Sequence, residues 1–137
     1  MIQRYYVMVY GSLMEGKGNH AYMQSAEGTF IEKVVSKNPS FTMYSMNNGA
    51  FPAIVEEGDS KFAGELYAVP GEGIAYVLDY LEGYPVLYDR KIIEVEGVES
   101  HHQYKAVVYI MSKDYANAMG SKEGENITYN NGIFYWN

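Results

Sequence analysis

Only one stretch of this chain has the spacing of a packed helix, and that limits the fold more than any other feature. Ile74, Val77, Leu78 and Leu81 fall at i, i+3, i+4 and i+7 and make one apolar stripe. Pro70 and Gly71 precede the stripe, Gly83 follows at the usual C-cap place, and Pro85 comes two residues later. Nearly everything else reads as strand. Residues 5–10 are apolar throughout and stop at Gly11, the pattern of a strand buried on both faces. Residues 29–35, 40–46, 91–96 and 104–111 are rich in β-formers. Residues 51–55 look like an edge strand, since Pro52 cannot donate to a ladder. Residues 62–69 form a separate strand, with Gly64 a candidate bulge. Asn47-Asn48-Gly49 is a turn signal. Asn19 is placed to cap a short helix reaching to about residue 25, and residues 114–119 carry a second short helical pattern.

Most strand-to-strand connections are too short for a crossover helix, so antiparallel pairing should dominate. The fold class is α+β: a small mixed β-barrel of about six to seven strands with one or two flanking helices, closure being the natural way to hide the edges. The 137 residues fit one domain, 1–137. Within it, residues 113–137 read as a weakly patterned tail ending in Phe134-Tyr135-Trp136.

Charge and composition exclude several functions. Ten Lys and Arg against 17 Asp and Glu leave the chain at −7. That is the wrong sign for neutralising nucleic-acid phosphates or docking on an anionic membrane. There is no cysteine, so disulfides, thiolate catalysis and Cys-based metal sites are out. No apolar run approaches the ~18 residues of a membrane span, and the N-terminus lacks a signal-peptide pattern. The expectation is a cytoplasmic protein that binds a small molecule, without a metal or other cofactor.

Several residues are candidates for chemistry. Residues 11–18 spell G-x-x-x-x-G-K, but Gly18 stands where a phosphate loop needs Ser or Thr for Mg²⁺. The stretch is either a glycine-rich turn or a nest of backbone N–H groups suited to a carboxylate or oxyanion. Glu82 lies in the last turn of the helix, against its negative end. Asp79, three residues earlier, adds like-charge repulsion. Both effects raise the proton affinity of Glu82, as a general base near neutral pH requires; the alternative is a solvated glutamate at a helix end. Ser12 has no G-x-S-x-G frame and no assured histidine partner. His20 either lines a pocket beside the glycine loop or merely opens a helix. His101 and His102 do not make a two-His metal face. Arg90 pairs with an acidic substrate group, with Asp89 or with Glu82, and the last would oppose a base role.

The ordered set Val9-Tyr10-Gly11-Ser12-Leu13, Gly18-Asn19-His20, Phe51-Pro52-Ala53, Gly64-Glu65-Leu66-Tyr67, Leu78-Asp79-x-Leu81-Glu82-Gly83 and Tyr88-x-Arg90 resembles the γ-glutamylcyclotransferase-like superfamily, in particular its branch of γ-glutamylamine cyclotransferases and plant avirulence-induced proteins. The resemblance covers residues 6–111. It implies a small mixed barrel with flanking helices and an enzyme that forms 5-oxoproline from a γ-glutamyl amide. Tyr10, Gly11, Ser12 and Leu13 would bind the γ-glutamyl group through backbone amides, and Glu82 would be the catalytic acid/base. Asn19, His20, Tyr88 and Arg90 match family-like positions without a firm role. The different-class alternative is a non-catalytic binder that captures a γ-glutamyl or carboxylate ligand in the same pocket.

Overall fold

The computed structural model describes residues 3–122 and 124–137. Among them nine strands and a few short helices form a mixed α+β fold. β1 (Arg4–Val9) is followed by α1 (His20–Ser25), β2 (Thr29–Ser36), β3 (Phe41–Met46) and the long β4 (Phe51–Pro70). The central helical region comprises α2 (Gly71–Gly73), a π-helical stretch (Ile74–Leu78) and α3 (Asp79–Glu82). β5 (Asp89–Gly97), β6 (Gln103–Ile110), α4 (Lys113–Met119), β7 (Gly120–Ser121), β8 (Ile127–Asn130) and β9 (Ile133–Trp136) complete the chain.

Five strands pair around a ring. β1 pairs with β4 on one side and β6 on the other, and the sequence β6–β5–β2–β4 brings the pairing back to its start. The architecture is barrel-like, as expected, and antiparallel except where β1 meets β6 and β4 meets β9. Alternation along β1 divides the apolar residues into two cores. Met8 joins Val34, Leu66, Val95 and Val108 inside the ring. Val7 and Val9 point the other way, against Met23, Ile74 and Leu78 of the helices. Burial on both faces holds from Val7 onward; Tyr5 and Tyr6 are exposed.

The structure joins what the sequence pattern separates. Residues 51–55 and 62–69 belong to one twenty-residue strand. Its first part pairs with β3 and its last part with β1 and β2. The register with β3 jumps from Thr42↔Val55 to Phe41↔Ser60, so Glu56, Glu57, Gly58 and Asp59 are an irregular insertion within a continuing strand. Their polarity had the look of a loop. The bulge lies elsewhere too: the β2–β4 register slips between Phe30 and Glu32, whereas Gly64 pairs regularly with Val34. Gly64 is glycine for another reason. A Cβ there would sit 2.2 Å from the Val9 carbonyl oxygen.

Gly83 takes the left-handed conformation at the end of α3 (φ 67°) that its C-cap position requires. The π-helical stretch through the apolar stripe was not foreseen, because a 3.6-residue period does not report one inserted residue. Residues 113–137 are more structured than their weak pattern suggested. Ser112 caps α4 by accepting the Tyr115 N–H. Asn131 and Gly132, both at positive φ, turn β8 back onto β9. Asn-Gly between apolar segments is a strong hairpin signal, and it is present in the sequence.

The close approach of β1 and β4 gives a direct test. Gly64→Ala forces a Cβ into backbone that cannot rotate away and should cost about 2–3 kcal/mol, read by denaturant unfolding. Gly18→Ala, where nothing lies within 4 Å of the added carbon, should stay within about 0.5 kcal/mol.

Candidate active site

β1 ends with Val9 opposite Glu65 of β4, and the chain then turns at Gly11. That residue has no room for a side chain: Pro52 Cγ and Cδ would lie 2.5 and 2.6 Å from its Cβ. The loop folds back and uses up its carbonyls. Gly11 C=O accepts from Met14 N–H (3.0 Å) and Ser12 C=O from Asn19 N–H (2.8 Å). Leu13 C=O accepts from His20 Nδ1 (3.0 Å). The N–H groups of Gly11, Ser12 and Leu13, by contrast, have no acceptor among the described residues. Three successive uncommitted amides are the ingredients of an anion nest.

Asn19 does not cap α1 with its side chain. Its Nδ2 donates to Ser12 Oγ at 3.0 Å. Ser12 therefore faces an amide, and His20 is engaged with Leu13, so no serine–histidine pair forms.

Glu82 reaches the same place from the opposite side. It ends α3, and its side chain lines a cavity of about 260 Å³ together with Tyr10, Gly11, Ser12, Leu13, Asn19, Tyr88 and Tyr109. The carboxylate is half-buried, and no cation pairs with it among the described residues. Burial pushes its pKa up to about 7. The direction agrees with the sequence argument, but the cause does not. Asp79 is not a free repelling charge: its carboxylate accepts from Arg90 Nη1 (2.8 Å) and from the Tyr109 hydroxyl (2.6 Å). Removal from water alone disfavours the Glu82 anion.

Arg90 thus pairs through its side chain with Asp79, a partner outside the three alternatives weighed for it. Its guanidinium also stacks 4.3 Å over the Tyr84 ring, while its backbone N–H donates to Asp89. Glu82 is left without a neutralising arginine. The tyrosines around the cavity serve the scaffold. Tyr10 donates to Tyr109 C=O (2.6 Å) and accepts from Ile54 N–H (3.3 Å), and Tyr88 donates to Pro52 C=O (3.0 Å). Burial, then the Glu82 charge, holds the Tyr88 hydroxyl well above its ordinary pKa, so it stays protonated. Tyr10 consequently offers the cavity its backbone and ring rather than a free hydroxyl.

Of the remaining candidates, His101 is exposed in a loop and faces Glu96 at 3.6 Å. Among the described residues no three His, Asp or Glu side chains are gathered as a metal site would need. No helix of the described residues is long and apolar enough to cross a membrane. The sequence reading missed Tyr109 and the Asp79–Arg90 pair. Both depend on how α3 packs against the β5–β6 hairpin, which brings Arg90 of β5 and Tyr109 of β6 to the same Asp79 carboxylate, and no local pattern announces that packing.

Residues 7–131 match the family model described as gamma-glutamyl cyclotransferase, AIG2-like, extending the motif resemblance past residue 111. A Vibrio cholerae protein named "Putative gamma-glutamylcyclotransferase" is 40% identical over 90 residues, 64% of this chain and 70% of that one. A protein of like name from Methanocaldococcus jannaschii is 35% identical over 92 residues, 66% and 71% of the two chains. Among solved structures, an AIG2-like protein from Mus musculus matches in fold with a TM-score of 0.76 at 20% identity, covering 98% of this chain and 96% of that one. The chain belongs to the gamma-glutamyl cyclotransferase, AIG2-like family.

Proposed function

We propose that this protein cyclises a γ-glutamyl amide to 5-oxoproline and releases the amine, with Glu82 as the proton shuttle. One observation carries the reading: a half-buried carboxylate with a pKa near neutrality shares a small cavity with three uncommitted backbone N–H groups. At about 260 Å³ the cavity is below the ~300–1,000 Å³ of pockets for drug-sized ligands. It suits a glutamyl group better than a whole peptide, with the leaving amine towards solvent.

The substrate arrives with its α-amino group as an ammonium. The Glu82 carboxylate removes one proton, and the freed amine attacks the γ-carbonyl carbon of the same residue. A five-membered ring closes and the carbonyl oxygen becomes an oxyanion, which the Gly11, Ser12 and Leu13 N–H groups hold. Glu82 passes its proton to the amide nitrogen, and the carbon–nitrogen bond breaks as the carbonyl re-forms. A second proton follows from the ring nitrogen by way of Glu82. The amine departs as an ammonium and Glu82 returns to its carboxylate. Nucleophile and electrophile belong to one molecule, so the protein's part is to fold the substrate and supply proton transfer and charge stabilisation.

Mass-spectrometric detection of 5-oxoproline tests this, using γ-glutamyl amino acids, glutathione, γ-glutamyl-ε-lysine and γ-glutamyl alkylamines as substrates. Glu82→Gln should lower turnover of the accepted substrate at least ~10²-fold while far-ultraviolet circular dichroism is unchanged. Undiminished product from that variant would reject the mechanism, and binding without product from wild type would favour the non-catalytic alternative. The log of kcat/KM should rise with pH along a limb of apparent pKa about 7, absent in Glu82→Gln.

Stability should show the same group with the opposite benefit. The folded-state pKa of Glu82 lies above its ordinary value of 4.5, so the folded protein binds the proton more tightly than the unfolded chain. The contribution of Glu82 to stability therefore falls as pH rises from about 4.5 to about 7, and changes no further beyond. Glu82→Gln escapes this loss. Its Tm advantage over wild type should grow across that window and then level off; an advantage independent of pH would contradict the burial of the charge.

A further inference from the structure

Glu65 is a buried carboxylate, 8% exposed, with no cation partner among the described residues. Placing it there is unfavourable unless its oxygens are well used. Oε1 accepts two hydrogen bonds, from the Glu15 backbone N–H (2.9 Å) and from the Tyr67 hydroxyl (2.9 Å). Glu15 lies two residues beyond Leu13, in a loop that contains Gly11, Gly16 and Gly18 and has the backbone freedom these bring. Other hydrogen bonds of residues 14–18 run to neighbours in the loop or to His20. Among the described residues, Glu65 is the only group of the sheet that hydrogen-bonds to them. The Tyr67 ring packs beside His20, 6.1 Å between centroids, and His20 holds the Leu13 carbonyl. The Gly64-Glu65-Leu66-Tyr67 segment, otherwise without a role in the chemistry, thus meets the loop directly at Glu15 and indirectly at Leu13, through His20 of α1.

We propose that Glu65 is a positioning residue: it ties the Gly11–Gly18 loop to β4 and so holds the Gly11, Ser12 and Leu13 amides in the arrangement that receives the oxyanion. The proposal rests on the cyclotransferase reading for its catalytic consequence, and on geometry alone for the anchoring. Glu65 touches no reacting atom; it acts through the loop. Oxyanion stabilisation depends on donors already in place, and a displacement of about 1 Å can cost ~10²-fold in rate.

The test uses the full chain with Glu65→Ala, the volume-preserving Glu65→Leu, and Glu65→Gln. Leu serves if Ala fails to fold, and Gln keeps the acceptor oxygen. Amide hydrogen exchange followed by NMR reads the anchor directly. The Glu15 amide should exchange at least about tenfold faster in the Ala and Leu variants, with the amides pairing β1 to β4 unchanged, and near the wild-type rate in Gln. Kinetics with the accepted substrate reads the consequence: kcat should fall about 10²-fold in Ala and Leu, with KM within about threefold, and Gln should recover to within about threefold of wild type. Unchanged Glu15 exchange in folded Ala or Leu variants overturns the proposal, as does faster exchange with wild-type kcat. If wild type forms no 5-oxoproline from any substrate, the cyclotransferase reading fails by itself and the exchange data still decide whether Glu65 anchors the loop.

Discussion

The antiparallel pairing of β1 with the last part of β4 is the interaction on which the remainder depends. Six residue pairs run from Arg4↔Pro70 to Val9↔Glu65, and they close the ring of strands. The approach is tight enough that position 64 has no space for a side chain. Because β1 ends there, the same contact determines where the Gly11–Gly18 loop leaves the sheet. β4 then supplies the loop's surroundings from both of its ends: Pro52 packs against Gly11, and Glu65 takes the Glu15 N–H. A single long strand can do this because its irregular middle, residues 56–59, lets it belong to two pairings at once.

The electrostatics around the cavity separate two carboxylates three residues apart. Asp79 is buried with a guanidinium and a phenol as donors, the arrangement in which a buried anion is tolerated. Glu82 is withdrawn from water without that compensation and binds its proton more tightly. Arg90, held by Asp79 and by the Tyr84 ring, is kept away from the one carboxylate it would neutralise. The fold accepts a stability loss as Glu82 ionises between about pH 4.5 and about 7, the local expense of withdrawing a carboxylate from water without a partner.

Much of this was legible from local pattern. The helix stripe and Gly83 cap, the strand character of most segments, the Asn47-Asn48-Gly49 turn and the glycine loop after β1 all follow from side-chain periodicity and turn chemistry, which act over a few residues. The continuity of β4 was hidden because Glu56, Glu57 and Asp59 are polar, and polarity marks exposure rather than the end of a strand. The β8–β9 hairpin carried its Asn-Gly signal but lay in a segment whose other residues had weak pattern. Asn19 stands at the N-cap of α1 as its residue type suggests, but its side chain makes no capping bond; its amide is used elsewhere, and here Ser12 Oγ accepts it.

The sequence by itself determined which residues were available: one carboxylate at a helix end, one glycine-rich turn after an apolar strand, an acidic chain without thiols, and an ordered set of motifs matching one superfamily. Their types and order along the chain are local information. Only the tertiary structure decided that Glu82 and the Gly11–Leu13 amides share one cavity, that Asp79 rather than Glu82 receives Arg90, and that Glu65 faces the loop. Each of these joins different elements of the fold, eleven residues apart for Asp79 and Arg90 and fifty for Glu15 and Glu65, through strand register and packing that no short-range pattern encodes. The proton affinity of Glu82 belongs to the same class, because desolvation depends on what the rest of the fold places around the carboxylate.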